Sequence, residues 1–332
     1  MIASVLIFLL QFSITYPAIK IIPARSDFKY KYIIIDEFQD ISYSRMQLLR
    51  TLVKHWNSKI FAVVDDWQSI YRSAGSDLGI FIKFDNYFES TTETILEKNY
   101  KNTKELHEII EPFITRNPEQ NKKHIECNKS LDKPVKAIYH DYNKTAALNA
   151  ALTEIEKLDK KVNVLLLGRN NFYIEDYLSK SIQISRTGDI NREMFSEMNI
   201  SFKTVHRSKG LEEDFVTIIN NEDFKTGFPN KIEEDPILRL VLSDKSEFQF
   251  SEERRLFYVS LTRTKSYCYL LVDANKQSIY IDEIVDKIEI INPEMIIDNN
   301  AENCPYCKTG HLVLKGEWGN YFMGAQIILD VE

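Results

Sequence analysis

Cysteine is scarce in this chain, with four among 332 residues: Cys127 and Cys268 stand alone, and Cys304 and Cys307 form a CxxC. Four, so unevenly placed, exclude a secreted disulfide framework and point to a reducing, cytoplasmic compartment. A surplus of basic charge is also lacking, since 42 Lys and Arg face 49 Asp and Glu for a formal net charge of -7. This excludes a surface coated in positive charge, but not a local basic groove that tracks a phosphate backbone. The N-terminal apolar run from Val5 to Leu10 is too short for a membrane span. No basic residue precedes it and no clear small-residue cleavage site follows, so the expectation is a core helix or divergent translation start with no membrane partner. Internal repeats and low-complexity tracts are missing too. What remains, 44% hydrophobic and 27% charged, is an ordinary globular composition of a size that suggests about two domains.

Short β-branched and aromatic runs alternate with helical patterns. KYIII, KIFAVV and ETILE read as strands, and SRMQLLRTLVKHW and TKELHEIIEPFI as helices. A second series follows: strand-like PVKAIYH, a helix near Thr145 to Leu158, strand-like VNVLLLG and FVTIIN, helix-like EERRLFYVSLTR and strand-like YCYLLVD. Two α/β units with parallel strands are the economical account. The stripe Leu48, Leu49, Leu52, Val53 and Trp56 reads as core, and the polar stretch Arg116 to Lys133 as a connecting loop.

Two segments carry chemistry. In IIIDEFQD, the strand Tyr32 to Ile35 ends in Asp36 and Glu37, at the tip where parallel sheets bind ligands. There Asp36 can hold Mg²⁺ and Glu37 can take a proton from an attacking water. Alone, such a pair more often caps a helix or faces solvent. In VVDDWQSIYRSAG, the bland reading is an Asx turn at Asp65 or Asp66; the functional one makes Gln68 a γ-phosphate sensor and Tyr71 a face for a stacked base.

Taken together and in order, DEFQD, DDWQSIY, LEKNYKNT, TVHRSKGLE and EERRLFYVSLTRTK resemble helicase motifs II to VI of the UvrD/Rep-like superfamily 1 DNA helicases. DDWQ and the later TGFPN resemble the bacterial helicase IV branch of that group. The resemblance implies a P-loop NTPase fold of tandem RecA-like domains, ATP with Mg²⁺ as cofactors, and 3′ to 5′ translocation on single-stranded DNA in repair or recombination. It implies catalytic roles for Glu37, Gln68 and Arg263, the last an arginine finger reaching the γ-phosphate. Asp36 would bind the metal, Tyr100 would stack on adenine beside Lys101, and Gly210 and Glu212 would lie toward the nucleotide. Thr204, His206, Ser208 and Tyr71 would line the DNA path. Arg254 and Arg255, flanked by Glu252 and Glu253, read as surface ion pairs.

The chain departs from the family where phosphates are held. No GxxxxGK[ST] loop, and no Gly-Lys dipeptide, occurs in it. The expectation is therefore a truncated or split copy whose P-loop comes from a separate chain, with a non-catalytic DNA-binding or scaffold remnant as the alternative. Lys101 stands where the family has an arginine, Val64 where it has a glycine and Ser73 where it has an aromatic. The implied division is 1–92 for the truncated first RecA-like domain, 93–292 for the second and 293–332 for a zinc-ribbon-like tail. In that tail Cys304 and Cys307 would offer half of a tetrahedral Zn²⁺ site, with His311 a third donor.

Overall fold

Three short apolar runs build the first sheet. In the computed structural model Val5–Phe8 (β1), Tyr32–Ile35 (β2) and Lys59–Ala62 (β3) pair in parallel in that order. The structure describes residues 5–8, 30–89, 91–141, 143–178, 182–185, 187–192, 195–233, 248–291, 311–317 and 320–326. The N-terminal apolar run is thus a strand over Val5–Phe8, not the expected helix, because it finds a ladder partner in β2. Helix α1, Tyr43–Trp56, ends on Asn57 in the left-handed region, whose N–H donates to Val53 O. Its Met46, Leu48, Leu49 and Leu52 bury against Ile33, Ile35, Phe38 and Ile41, so the leucine stripe is core.

The chain continues with Lys98–Thr103 (β4), helix α2 at Lys104–Ile114 and Glu126–Lys129 (β5), β4 and β5 being parallel. Thr103 caps α2 by accepting from Leu106 N–H. ETILE, expected as a strand, precedes β4 without being one: Glu93, Ile95, Leu96 and Glu97 are exposed, and the ladder forms on KNYKNT instead. The stretch from Arg116 to Lys133 is likewise more than a loop, since it contains β5.

Then come Val135–His140 (β6), helix α3 at Lys144–Leu158, Asn163–Gly168 (β7), Ile182–Ile184 (β8), Asp189–Arg192 (β9), Asn199–Thr204 (β10), Phe215–Ile218 (β11), helix α4 at Ser251–Leu261, Cys268–Asp273 (β12) and Glu289–Ile291 (β13). They form one mixed sheet in the order β13-β6-β12-β11-β7-β10-β9-β8. Strands β6, β12, β11, β7 and β10 are parallel, and β9 and β8 add an antiparallel hairpin at one edge. The central strands are apolar almost throughout because both faces are covered, α4 contributing Leu256, Phe257, Val259 and Leu261 to the same core. Trp67 and Ile70, which follow β3 in sequence, belong to this second core.

Residues 1–290 and 291–332 form two compact units. The second contains an antiparallel hairpin of His311–Glu317 (β14) and Asn320–Gln326 (β15). Cys304 and Cys307 lie outside the described residues, and the expected zinc site with them. Among the described residues no helix is long and apolar enough to cross a membrane.

Candidate functional site

The tip of β2 sets the geometry. Asp36 and Glu37 leave the strand exposed, Asp36 Oδ1 accepting the Glu37 N–H at 3.0 Å, and Glu37 takes a left-handed backbone (φ 53°) that turns the chain into the 3₁₀ turn Phe38–Asp40. Phe38 N–H donates to Val63 O at 2.9 Å, tying this turn to the end of β3. Buried Gln39 donates its Nε2 to Glu37 Oε2 and accepts the Asp65 N–H on Oε1 at 3.1 Å. The DE pair and the DDWQ segment are thus linked by one side-chain amide. Among the described residues no group of three or more His, Cys, Asp or Glu could hold a metal ion. A Mg²⁺ at Asp36 would therefore take its remaining ligands from phosphate and water, as that ion commonly does.

Lys209, which sequence reasoning passed over, is the cation facing Glu37. It lies in the turn after β10, with its ammonium 2.6 Å from Asp40 Oδ2, 3.4 Å from Glu37 Oε2 and 2.8 Å from Gln68 O. The same ammonium sits 5.3 Å from the centroid of the Tyr71 ring. Burial pushes the Asp40 carboxyl above its ordinary value although Lys209 pulls the other way. TVHRSKGLE contains this lysine, but nothing in its spacing marks it as buried.

Gln68 and Arg263, far apart along the chain, come within reach of each other. Arg263 emerges just past α4, buried, donating Nε to Val259 O at 3.0 Å, Nη1 to Leu211 O at 3.4 Å and Nη2 to Thr262 Oγ1 at 3.2 Å. The same Nη2 stands 3.5 Å from Gln68 Oε1. Burial lowers the guanidinium pKa, with Tyr258, Glu212 and Glu37 opposing; an arginine so placed stays charged. Lys101 pairs with Glu212 at 2.6 Å, which brings the Tyr100 segment to the motif V segment, and the Tyr100 ring is 64% exposed. Gly210 is exposed with φ +80°, a conformation that L side chains rarely adopt.

On the other side of Lys209, Tyr71 donates its hydroxyl to His206 O at 2.9 Å, and the two rings lie 6.0 Å apart at 45°. Burial, with Arg169 adding to it, pushes the His206 pKa down to about 4, so the imidazole is neutral at pH 7. Thr204 is buried at the end of β10. Ser208, expected on the DNA path, is fully buried and donates its hydroxyl to Val205 O at 2.7 Å: it closes its own turn and presents nothing outward.

Arg254 and Arg255 are not surface ion pairs. Both are buried: Arg254 lies over the rings of Phe113 and Tyr280 and pairs with Glu283, and Arg255 donates Nε to Ser69 O at 2.6 Å. The flanking acids have partners of their own, Glu253 forming a bidentate pair with Arg169 and Glu252 accepting the Arg72 N–H at 2.8 Å.

Residues 9–89 match the UvrD/REP helicase N-terminal domain family, and residues 171–275 match the UvrD-like helicase C-terminal domain family. Among curated relatives, DNA helicase IV of Escherichia coli (strain K12) is 31% identical over 263 residues, 79% of this chain and 36% of that protein. DNA helicase II of Rickettsia typhi is 29% identical over 45% of this chain and 23% of that protein. ATP-dependent DNA helicase PcrA of Bacillus subtilis (strain 168) is 31% identical over 27% of this chain and 13% of that protein. The chain spans about a third of the length of the helicase IV relative. By these matches, the chain belongs to the UvrD-like helicase family and carries segments of both its N-terminal and C-terminal domains.

Proposed function

We propose that this chain forms the motif II to VI part of an ATP-driven motor that moves 3′ to 5′ along single-stranded DNA, in repair or recombination, on a tandem RecA-like P-loop NTPase frame. The observation that carries the reading is the convergence of Glu37, Gln68 and Arg263, which come from three separate segments, through Gln39, Lys209 and Asp65. In this reading Asp36 holds Mg²⁺, Glu37 accepts the proton of the attacking water, and Arg263 balances charge developing on the γ-phosphate. Tyr100 and Glu212 receive base and ribose, with Lys101 beside them, and Tyr71 with His206 receives DNA bases. The β- and γ-phosphates need a GxxxxGK[ST] cradle, which the 332 residues do not contain. It would come from protein beyond them, either more of the same polypeptide or a separate chain.

The test is ATP hydrolysis with and without single-stranded DNA, by the chain alone and with a P-loop-bearing segment supplied in trans or fused ahead of Tyr32. DNA-stimulated turnover that appears on supply and disappears in Glu37→Gln supports the motor. Absence of turnover after supply, with DNA binding intact, favours the non-catalytic alternative, for which the missing cradle is the specific observation.

A further inference from the structure

Lys123 lies in the polar segment between α2 and β5, outside the motif segments, yet its ammonium holds both carboxylates of DDWQ. It stands 2.6 Å from Asp65 Oδ1, 2.6 Å from Asp66 Oδ1 and 4.7 Å from the Trp67 ring centroid. Neighbouring Asn121 adds two backbone bonds to the same turn: its N–H donates to Asp66 Oδ2 at 3.3 Å, and its carbonyl accepts Trp67 Nε1 at 3.0 Å. Asp66 is buried, so a cation beside it is required to offset its desolvation.

The consequence reaches the site through Asp65. Its Oδ1 faces Lys123 and also accepts the Trp67 N–H at 3.2 Å, while Oδ2 accepts Gln68 Nε2 at 2.7 Å. A carboxamide has one donating and one accepting end, so fixing Nε2 on Asp65 turns Oε1 toward Arg263 Nη2, 3.5 Å away. Released from Asp65, the amide is free to flip and offer its N–H groups to a guanidinium that cannot accept them. Asp65 also donates its N–H to Gln39, the residue that bonds Glu37. One carboxylate therefore connects Lys123 with Gln68 and, through the backbone, with the base.

We propose that Lys123 is a positioning residue: by fixing Asp65 it sets the amide orientation in which Gln68 presents its oxygen to Arg263. Burial opposes charge on Lys123, but Asp65 and Asp66 outweigh it and hold its pKa above the ordinary lysine value. The ammonium is thus present at pH 7. The kinetic part of the proposal rests on the ATPase reading; the structural part does not.

The test uses the full chain labelled with ¹⁵N-glutamine, the Gln68 side-chain amide being identified by its loss in Gln68→Ala. In the wild type its two protons should be well separated and exchange with solvent about tenfold or more slowly than those of an exposed glutamine. Lys123→Met should merge them and speed exchange by a similar factor, whereas Lys123→Arg, which keeps the charge, should preserve the wild-type signals. If Lys123→Met does not fold, Lys123→Gln takes its place. Unprotected Gln68 protons in the wild type, or unchanged signals on removing the charge, overturn the proposal. Where DNA-stimulated hydrolysis is measurable, Lys123→Met should lower kcat about tenfold with KM within about twofold, and Lys123→Arg should recover most of it. Unchanged kcat also overturns the proposal. No hydrolysis in any variant even with the P-loop-bearing segment supplied, the Gln68 response being intact, rejects the ATPase reading and leaves the positioning role standing.

Discussion

Lys209 is the residue that ties the Glu37 turn to the Gln68 turn. Its ammonium is nearly enclosed and faces Asp40, Glu37 and the Gln68 carbonyl together. Replacing it by methionine keeps the stem and deletes the charge, leaving Asp40 buried without its counter-ion. We expect a loss of roughly 1–3 kcal/mol of stability, as for other buried polar groups stripped of a partner. The sign with pH follows from Asp40. Its folded pKa, already raised by burial, rises further without Lys209, so the destabilisation is small at acid pH and grows as pH climbs through that folded value. Denaturant melts of Lys209→Met and wild type at pH 5 and pH 8 should show the wider gap at pH 8; a wider gap at pH 5 rejects the assignment. His206 gives the opposite trend in the wild type. Its folded pKa near 4 lies below the ordinary value, so protonation of the unfolded state weakens the fold as pH drops from about 6.5 toward 4. His206→Gln should remove on the order of 1 kcal/mol of that acid sensitivity between pH 7 and pH 5. An unchanged acid slope would show that other buried groups, such as His107 and His140, carry it instead.

At the scale of elements, the 3₁₀ turn Asp66–Gln68 does more than a polar loop would. Trp67 is 1% exposed, edge-on to Tyr258 at 5.5 Å and stacked on His107 at 6.4 Å, so the turn that follows the first sheet is pinned inside the second core. Trp67→Ala should cost about 3–5 kcal/mol by cavity formation, and Trp67→Phe less, because the ring volume largely survives while the bond to Asn121 is lost. Urea melts decide it, and a cost below 1 kcal/mol for alanine would mean the turn can leave the core. This packing was not legible in the sequence. Periodicity reports faces of strands and helices, and it found β2, α1, β6, α3, β7, β11, α4 and β12 at or near their observed bounds. A tryptophan in a short turn has no period, and its partners His107 and Tyr258 are far away along the chain. Arg254 and Arg255 were misread for the same reason: a glutamate next door in sequence suggested a surface pair, while the partners, Glu283 and the Ser69 carbonyl, are distant. Lys123 and Lys209 escaped notice because a lysine bridging two carboxylates looks, in sequence, like any surface lysine. The family resemblance was legible because the order and spacing of the motif segments do not depend on packing.

For the whole molecule, a net charge of -7 makes DNA binding a matter of local field. Several cations near the candidate path already have acidic partners: Arg169 pairs with Glu253, Lys209 with Asp40, Lys123 with Asp65 and Asp66, and Lys101 with Glu212. A phosphate backbone must compete with those carboxylates, so on the proposed reading few phosphates are neutralised and much of the affinity has to come from base stacking on Tyr71. Binding to single-stranded oligonucleotides should then be sequence-tolerant and fall with salt along a shallow line, each neutralised phosphate adding about 0.7 to the slope of log K against log salt. The two contributions separate by mutation. Tyr71→Ala should weaken binding by about 1–3 kcal/mol, a factor of roughly five to 150, with the slope unchanged. Tyr71→Phe keeps the ring but loses the bond to the His206 carbonyl, and should stay near wild type. Replacing the exposed Arg207 by alanine should instead lower the slope while leaving base tolerance as it was. Fluorescence anisotropy across a salt series measures all three. A steep slope with no effect of Tyr71→Ala would move the path away from the Tyr71–His206 face, and absence of binding even at low salt would remove single-stranded DNA as the ligand of these residues.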